Sequence, residues 1–122
     1  MTENNNPNKK YDLEERTLVF AKYTIRLCQK LARTPINLPL ISQIVRSSAS
    51  VGANYREAND ALGKKDFIHR LKIARKEAKE TIYWLELLIE ANTNLSEELG
   101  SLKSECIELR NILSAIIKKS SL

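Results

Sequence analysis

Residues 64–93 form one unbroken run in which apolar side chains recur every three or four positions, with no glycine or proline inside it. Phe67, Ile68, Leu71, Ile73, Ala74, Ala78, Ile82, Trp84, Leu85, Leu87, Leu88 and Ile89 carry the pattern. That period belongs to an amphipathic helix. At the helical rise it makes a rod of about 45 Å, long for a chain of 122 residues. The apolar side of such a rod needs cover, and the remaining sequence supplies it as further helices. Three glycines and three prolines in the whole chain are too few for the turns of an all-β fold.

Three more blocks share the helical period. Helix 1 is expected over 12–33, opened by Asp12 and Glu15 in capping-box spacing. Pro35 and Pro39 bracket a turn, and helix 2 is expected over 38–60. Its inner face is Ile41, Ile44, Val45, Ser48, Val51, Gly52 and Tyr55, and its run of small residues predicts a close helix crossing. Asn59 to Gly63 breaks the pattern before the long helix. Helix 4 is expected over 97–119, capped by Asn94 with Glu97 or by Ser96. Short connections between four amphipathic helices predict an all-α, antiparallel up-down-up-down four-helix bundle over 12–119. Residues 1–11 are polar and Asn-rich and read as a disordered tail.

The net charge of +5 is unevenly spread. Residues 64–80 hold seven Lys and Arg against three acids, whereas 81–100 hold four glutamates and no cation. Lys65, His69, Lys72, Lys76 and Lys79 are spaced 4, 3, 4, 3 and share one helix face, with Arg70 and Arg75 beside it. A row of cations on a rigid rod suits a polyanion such as the phosphates of RNA or DNA. It is also what a solvated face looks like, with Lys76 paired to Glu80 within the helix, and both readings stay open. No aromatic residue interleaves the cations, so contact would be with the backbone and tolerant of base sequence. Tyr83 and Trp84 read as core or interface.

The other constellations point to structure. Arg46, Asn54 and Glu57 on helix 2, with Glu77 and Glu80 on helix 3, read as a polar network that fixes helix register or a subunit contact. Glu77-x-x-Glu80 and Glu105-x-x-Glu108 have the spacing of a paired-carboxylate Mg²⁺ site, but such pairs arise by chance in any Glu-rich bundle. Asp66-x-x-His69 is half of a di-iron motif in a chain with a single histidine. No metal, cofactor or catalytic group is expected. Cys28 and Cys106 read as buried thiols in a reducing cytoplasm. The chain has neither a signal-peptide core nor an 18-residue apolar stretch, so a membrane role is not expected.

Gln43-Ile44-Val45-Arg46, Ser50-Val51-Gly52-Ala53-Asn54-Tyr55-Arg56-Glu57-Ala58, Lys65-Asp66-Phe67-Ile68, and Ala74, Glu77 and Glu80 with Trp84-Leu85-Glu86-Leu87-Leu88 resemble the bacterial 23S ribosomal RNA intervening-sequence protein family. The resemblance covers roughly 12–119, and 43–88 carries its specificity. It implies a four-helix bundle that assembles as a homo-oligomer, plausibly a pentamer, without an assigned activity. Related accessory proteins bind nucleic acid through basic surfaces. Many relatives carry Gly where this chain has Ala58. The reading is a non-catalytic nucleic-acid-binding accessory protein. Its alternatives are a protein-interaction scaffold and a Mg²⁺-dependent hydrolase.

Overall fold

Each periodic block folds as a helix in the computed structural model, which describes residues 12–122. α1 spans Asp12–Gln29, α2 Asn37–Asn59, α3 Lys64–Ala91 and α4 Ser96–Ser120, with one 3₁₀ turn at Thr93–Leu95. The tail 1–11 and the Asp12 cap lie outside the described residues. Successive helices run antiparallel, so the start of each meets the end of the next. Asn59 at the end of α2 donates to Glu14 near the start of α1 at 2.7 Å. Lys64 at the start of α3 donates to the Leu122 carbonyl beyond α4 at 3.4 Å. The α2–α3 seam is the most extensive, and α1 closes the bundle on α4 along the loosest one.

The core follows the periodicity. On α3 the buried positions Leu71, Ala74, Ala78, Thr81, Leu85 and Leu88 alternate steps of three and four. On α4 they are Leu99, Leu102, Cys106, Leu109, Leu113 and Ile117. Phe20, Ile44 and Val51 complete the fully enclosed centre from α1 and α2. Ala58 is helical and 1 % exposed, and no described residue has positive φ, so α2 continues through this position without a glycine.

Three helix ends differ from expectation. α1 stops at Gln29 rather than Arg33. The Lys30 and Leu31 amides bond three residues back, to Leu27 and Cys28, which tightens the chain and turns Leu31 into the core. α3 ends at Ala91, where the Asn92 side chain folds inward. α4 uses neither Asn94 nor Ser96 as a side-chain cap, because the 3₁₀ turn leads directly into it.

The small residues of α2 do make a close crossing. A Cβ on Gly52 would lie 2.8 Å from Thr17 Oγ1 and 3.0 Å from Thr17 Cβ on α1. Thr17 is 1 % exposed and its hydroxyl donates to the Leu13 carbonyl at 2.9 Å, so it has little room to yield. Facing α3, Ser47 Oγ and Thr81 Oγ1 approach to 2.8 Å.

One contact was invisible in the sequence. Asn37 and Asn92, both buried, exchange side-chain amide hydrogen bonds of 2.9 Å in each direction. The second proton of Asn37 Nδ2 goes to the Ala32 carbonyl at 2.9 Å, and that of Asn92 Nδ2 to the Leu88 carbonyl at 3.0 Å. Every amide proton of the pair is used, which makes the burial tolerable. The pair ties the α1–α2 connection to the end of α3.

Gly52→Ala is expected to lower stability by about 1–2 kcal/mol, since crowding against Thr17 outweighs the gain in helix propensity. Gly100→Ala, where a Cβ meets nothing within 4 Å, is expected to raise it by about 0.5–1 kcal/mol. Urea unfolding of both variants checks the opposite signs. Asn92→Ala is expected to cost about 2–3 kcal/mol by stranding Asn37. Adding Asn37→Ala to it is expected to cost less than a second independent loss, as a double-mutant cycle reads out.

Candidate nucleic-acid interface

The core of α3 fixes which side of the helix faces out. Positions that alternate three and four steps on the buried seam leave an opposite line with the same alternation. Lys65, His69, Lys72, Lys76 and Lys79 occupy that line, and all five are exposed. From first to last they span about 21 Å of helix. None of the four lysines has an ion pair among the described residues. The expected Lys76–Glu80 pair is not formed, because Glu80 accepts from Arg46 on α2. Arg70 and Arg75 are half-buried at the edges of the row. Arg70 leans to Asp66 at 3.9 Å, and Arg75 donates to Ser114 Oγ on α4 at 3.5 Å.

The order of charges on α3 opposes its own dipole. A helix favours acids at its start and bases at its end, by about 0.3–1 kcal/mol per charge at low salt. α4 obeys, with Glu97 and Glu98 in its first turn and Lys118 and Lys119 in its last. α3 begins Lys64-Lys65, has only Asp66 as acid in its first turn and has no base in its last. Helix stability therefore does not explain Lys64 and Lys65, while His69 to Lys79 stand beyond the first turn, where the dipole has little effect.

Only part of the polar network comes together. Arg46 Nη1 donates to Glu77 Oε1 at 3.3 Å and Nη2 to Glu80 Oε1 at 3.0 Å, bridging α2 to α3. Glu77 is 8 % exposed, and that guanidinium is its cationic partner. Asn54 and Glu57 stand apart from it. Asn54 Nδ2 bonds the Ser50 carbonyl one turn back on its own helix, at 2.9 Å, and Glu57 points to solvent.

The two Glu-x-x-Glu motifs do not assemble a common site. The α3 pair faces α2 and holds Arg46, whereas the α4 pair faces α1 and holds Arg16. Arg16 donates to both Glu105 oxygens, at 2.7 and 2.9 Å, and to Glu108 at 3.3 Å. Those bonds to Glu105 hold the guanidinium above its ordinary pKa, against the opposing effect of burial. No cluster of three potential metal ligands occurs among the described residues. Burial pushes the thiols of Cys28 and Cys106 up to about 11 and about 12, so neither offers a thiolate nucleophile near neutrality.

Two features escaped the sequence reading. Tyr83, read as core or interface, is 55 % exposed and so lies outside this chain's core. Extending the 4, 3, 4, 3 spacing by one more step of four would have found it on the cation line. Along the loose α1–α4 seam runs an apolar groove of about 780 Å³, floored by Phe20, Leu27 and Leu102 and edged by Val19, Tyr23, Arg26 and Glu98. Its signal was the surplus of apolar side chains on helix 1, where Leu18, Val19 and Ile25 are also exposed.

The model of the 23S rRNA-intervening sequence protein family matches residues 9–115. The chain belongs to this family. Among solved structures it is similar to a protein of unknown function from the S23 ribosomal protein family of Bacteroides thetaiotaomicron. The two share 40 % identity over 87 % of this chain and 98 % of that one, with a TM-score of 0.80. No curated protein matches the chain. The family carries no enzymatic assignment, and among the described residues no helix is long and apolar enough to cross a membrane.

Arg46→Ala is expected to cost about 1–3 kcal/mol by leaving the buried Glu77 charge unpaired. Glu77→Gln in the same chain should recover much of that loss, which thermal unfolding of the two variants will show.

Proposed function

We propose that this family member is a non-catalytic accessory protein that binds the phosphate backbone of RNA or DNA through the outer line of α3. What carries the reading is the row of exposed cations, whose four lysines have no ion pair among the described residues. Lys and Arg that neutralise phosphates release condensed counterions, and this term favours binding without regard to base sequence. We extend the proposal to a cytoplasmic homo-oligomer, with five subunits as the number suggested by the family resemblance. Exposed Leu18, Val19, Tyr23 and Ile25 on α1 offer apolar surface for such assembly. Repeating the cation row around an axis would raise the local potential. A scaffold that binds another protein is the second reading, supported by the α1–α4 groove.

The test is binding to an RNA hairpin and a DNA duplex across salt concentration, with the mass in solution recorded alongside. Neutralising about four phosphates of a duplex gives a log–log slope near −4, so affinity falls on the order of 200-fold between 50 and 200 mM salt. Lys72→Glu with Lys76→Glu is expected to abolish binding without lowering the melting temperature by more than a degree or so, since both side chains are exposed and neither holds an ion pair among the described residues. Absence of binding at low salt would overturn the phosphate reading and leave the scaffold reading in its place.

A further inference from the structure

The outer line of α3 continues past Lys79. Four residues on it reaches Tyr83, and further steps of three and four reach Glu86 and Glu90, all exposed. The line therefore reads cations, then one aromatic ring, then acids. Tyr83 stands outward because the helix period places it opposite Leu85 and Leu88 of the buried seam. Its ring is braced edge-to-face by Trp84, with centroids 5.2 Å apart at 69°. The neighbouring Glu86 is itself held by Lys103 of α4 at 3.1 Å. Tyr83 is thus an exposed ring, packed on one edge by Trp84, at the end of a cationic track.

We propose that Tyr83 is a stacking platform for one unpaired base, and hence that the nucleic acid favoured by this protein is single-stranded. This rests on the phosphate-binding reading and narrows it. Cationic tracks that end in aromatic rings hold single strands by pairing phosphates with the charges and laying a base on the ring. A duplex has no free base face to offer, so the ring adds nothing to duplex binding. Beyond the ring no further cation stands on the line: Glu86 is paired with Lys103 and Glu90 repels phosphates, which ends the track at Tyr83. The strand lies along Lys72, Lys76 and Lys79, and the base at its end turns onto the phenol ring.

Fluorescence anisotropy of a labelled oligo(dT) of about ten nucleotides, within the range of such sites, provides the test. Its blunt duplex and inorganic polyphosphate serve as competitors. The expected result is that the strand outbinds the duplex. Tyr83→Ala should weaken oligo(dT) about tenfold while competition by polyphosphate, which has no bases, stays unchanged, and Tyr83→Phe should bind as the native chain does. Equal binding of strand and duplex would overturn the stacking role. So would a Tyr83→Ala variant that binds oligo(dT) normally, or one whose mass in solution has changed, which would make Tyr83 a subunit contact. In each of those cases binding of polyphosphate leaves the phosphate-binding reading intact. If polyphosphate and oligo(dT) both fail to bind the native protein at low salt, both readings fall.

Discussion

The three-four spacing of the α3 seam is the constraint from which the surface follows. Leu71, Ala74, Ala78, Thr81, Leu85 and Leu88 are fully enclosed, and together they set the rotation of the helix about its axis. Ala74 and Ala78 keep the seam narrow, so α4 comes close enough for the Cys106 thiol to donate to the Ala78 carbonyl at 3.3 Å. With the rotation fixed, the cations have one place to go. The backbone positions of the lysine row are therefore fixed by the core, and no loop intervenes between packing and surface charge.

Polar contacts add to the register that the uneven seam of Leu, Ala and Thr already favours. Three contacts stand at successive levels between α2 and α3. Asn37–Asn92 lies at one end, Ser47–Thr81 farther along, and Arg46 with Glu77 and Glu80 beside it. Thr17 against Gly52 then sets α1 on the other side of α2. The α1–α4 seam has the Arg16–Glu105 ion pair but is otherwise splayed, and the groove opens there.

The bundle was legible because helix period and chain connectivity leave few arrangements for four amphipathic rods. The cation row was legible for the same reason, since spacing alone decides which residues share a face. Partner choice was not legible. Nothing local marks Asn37 and Asn92, 55 residues apart, as one hydrogen-bonded unit. Asn54 looked like a network member because it lies one turn from Glu57, yet its amide bonds the Ser50 carbonyl of its own helix instead. The helix 4 caps failed because a capping side chain is needed only where the chain enters a helix from extended backbone, and here it enters from a 3₁₀ turn. Glu-x-x-Glu spacing likewise fixes a shared face but not what that face meets, and arginines on α1 and α2 meet it.

Charge order on α3 has a consequence for energetics as well as recognition. Lys64 and Lys65 in the first turn oppose the dipole, and the lysines of the row repel one another at three- and four-residue spacing, so the helix carries an unfavourable electrostatic term that its core must offset. On the proposed reading, phosphates laid along the row would relieve the repulsion among the lysines. The binding free energy would then include that relief in addition to counterion release. The same term acts in the opposite sense at the other end of the helix. There Glu90 stands in the last turn, near the negative end of the dipole, while Glu86 is already paired with Lys103 of α4. The row is consequently asymmetric, with its cations between Lys65 and Lys79 and its acids beyond Tyr83. On the proposed reading, that asymmetry would give a bound polyanion a stopping point, which a uniformly basic face would not provide.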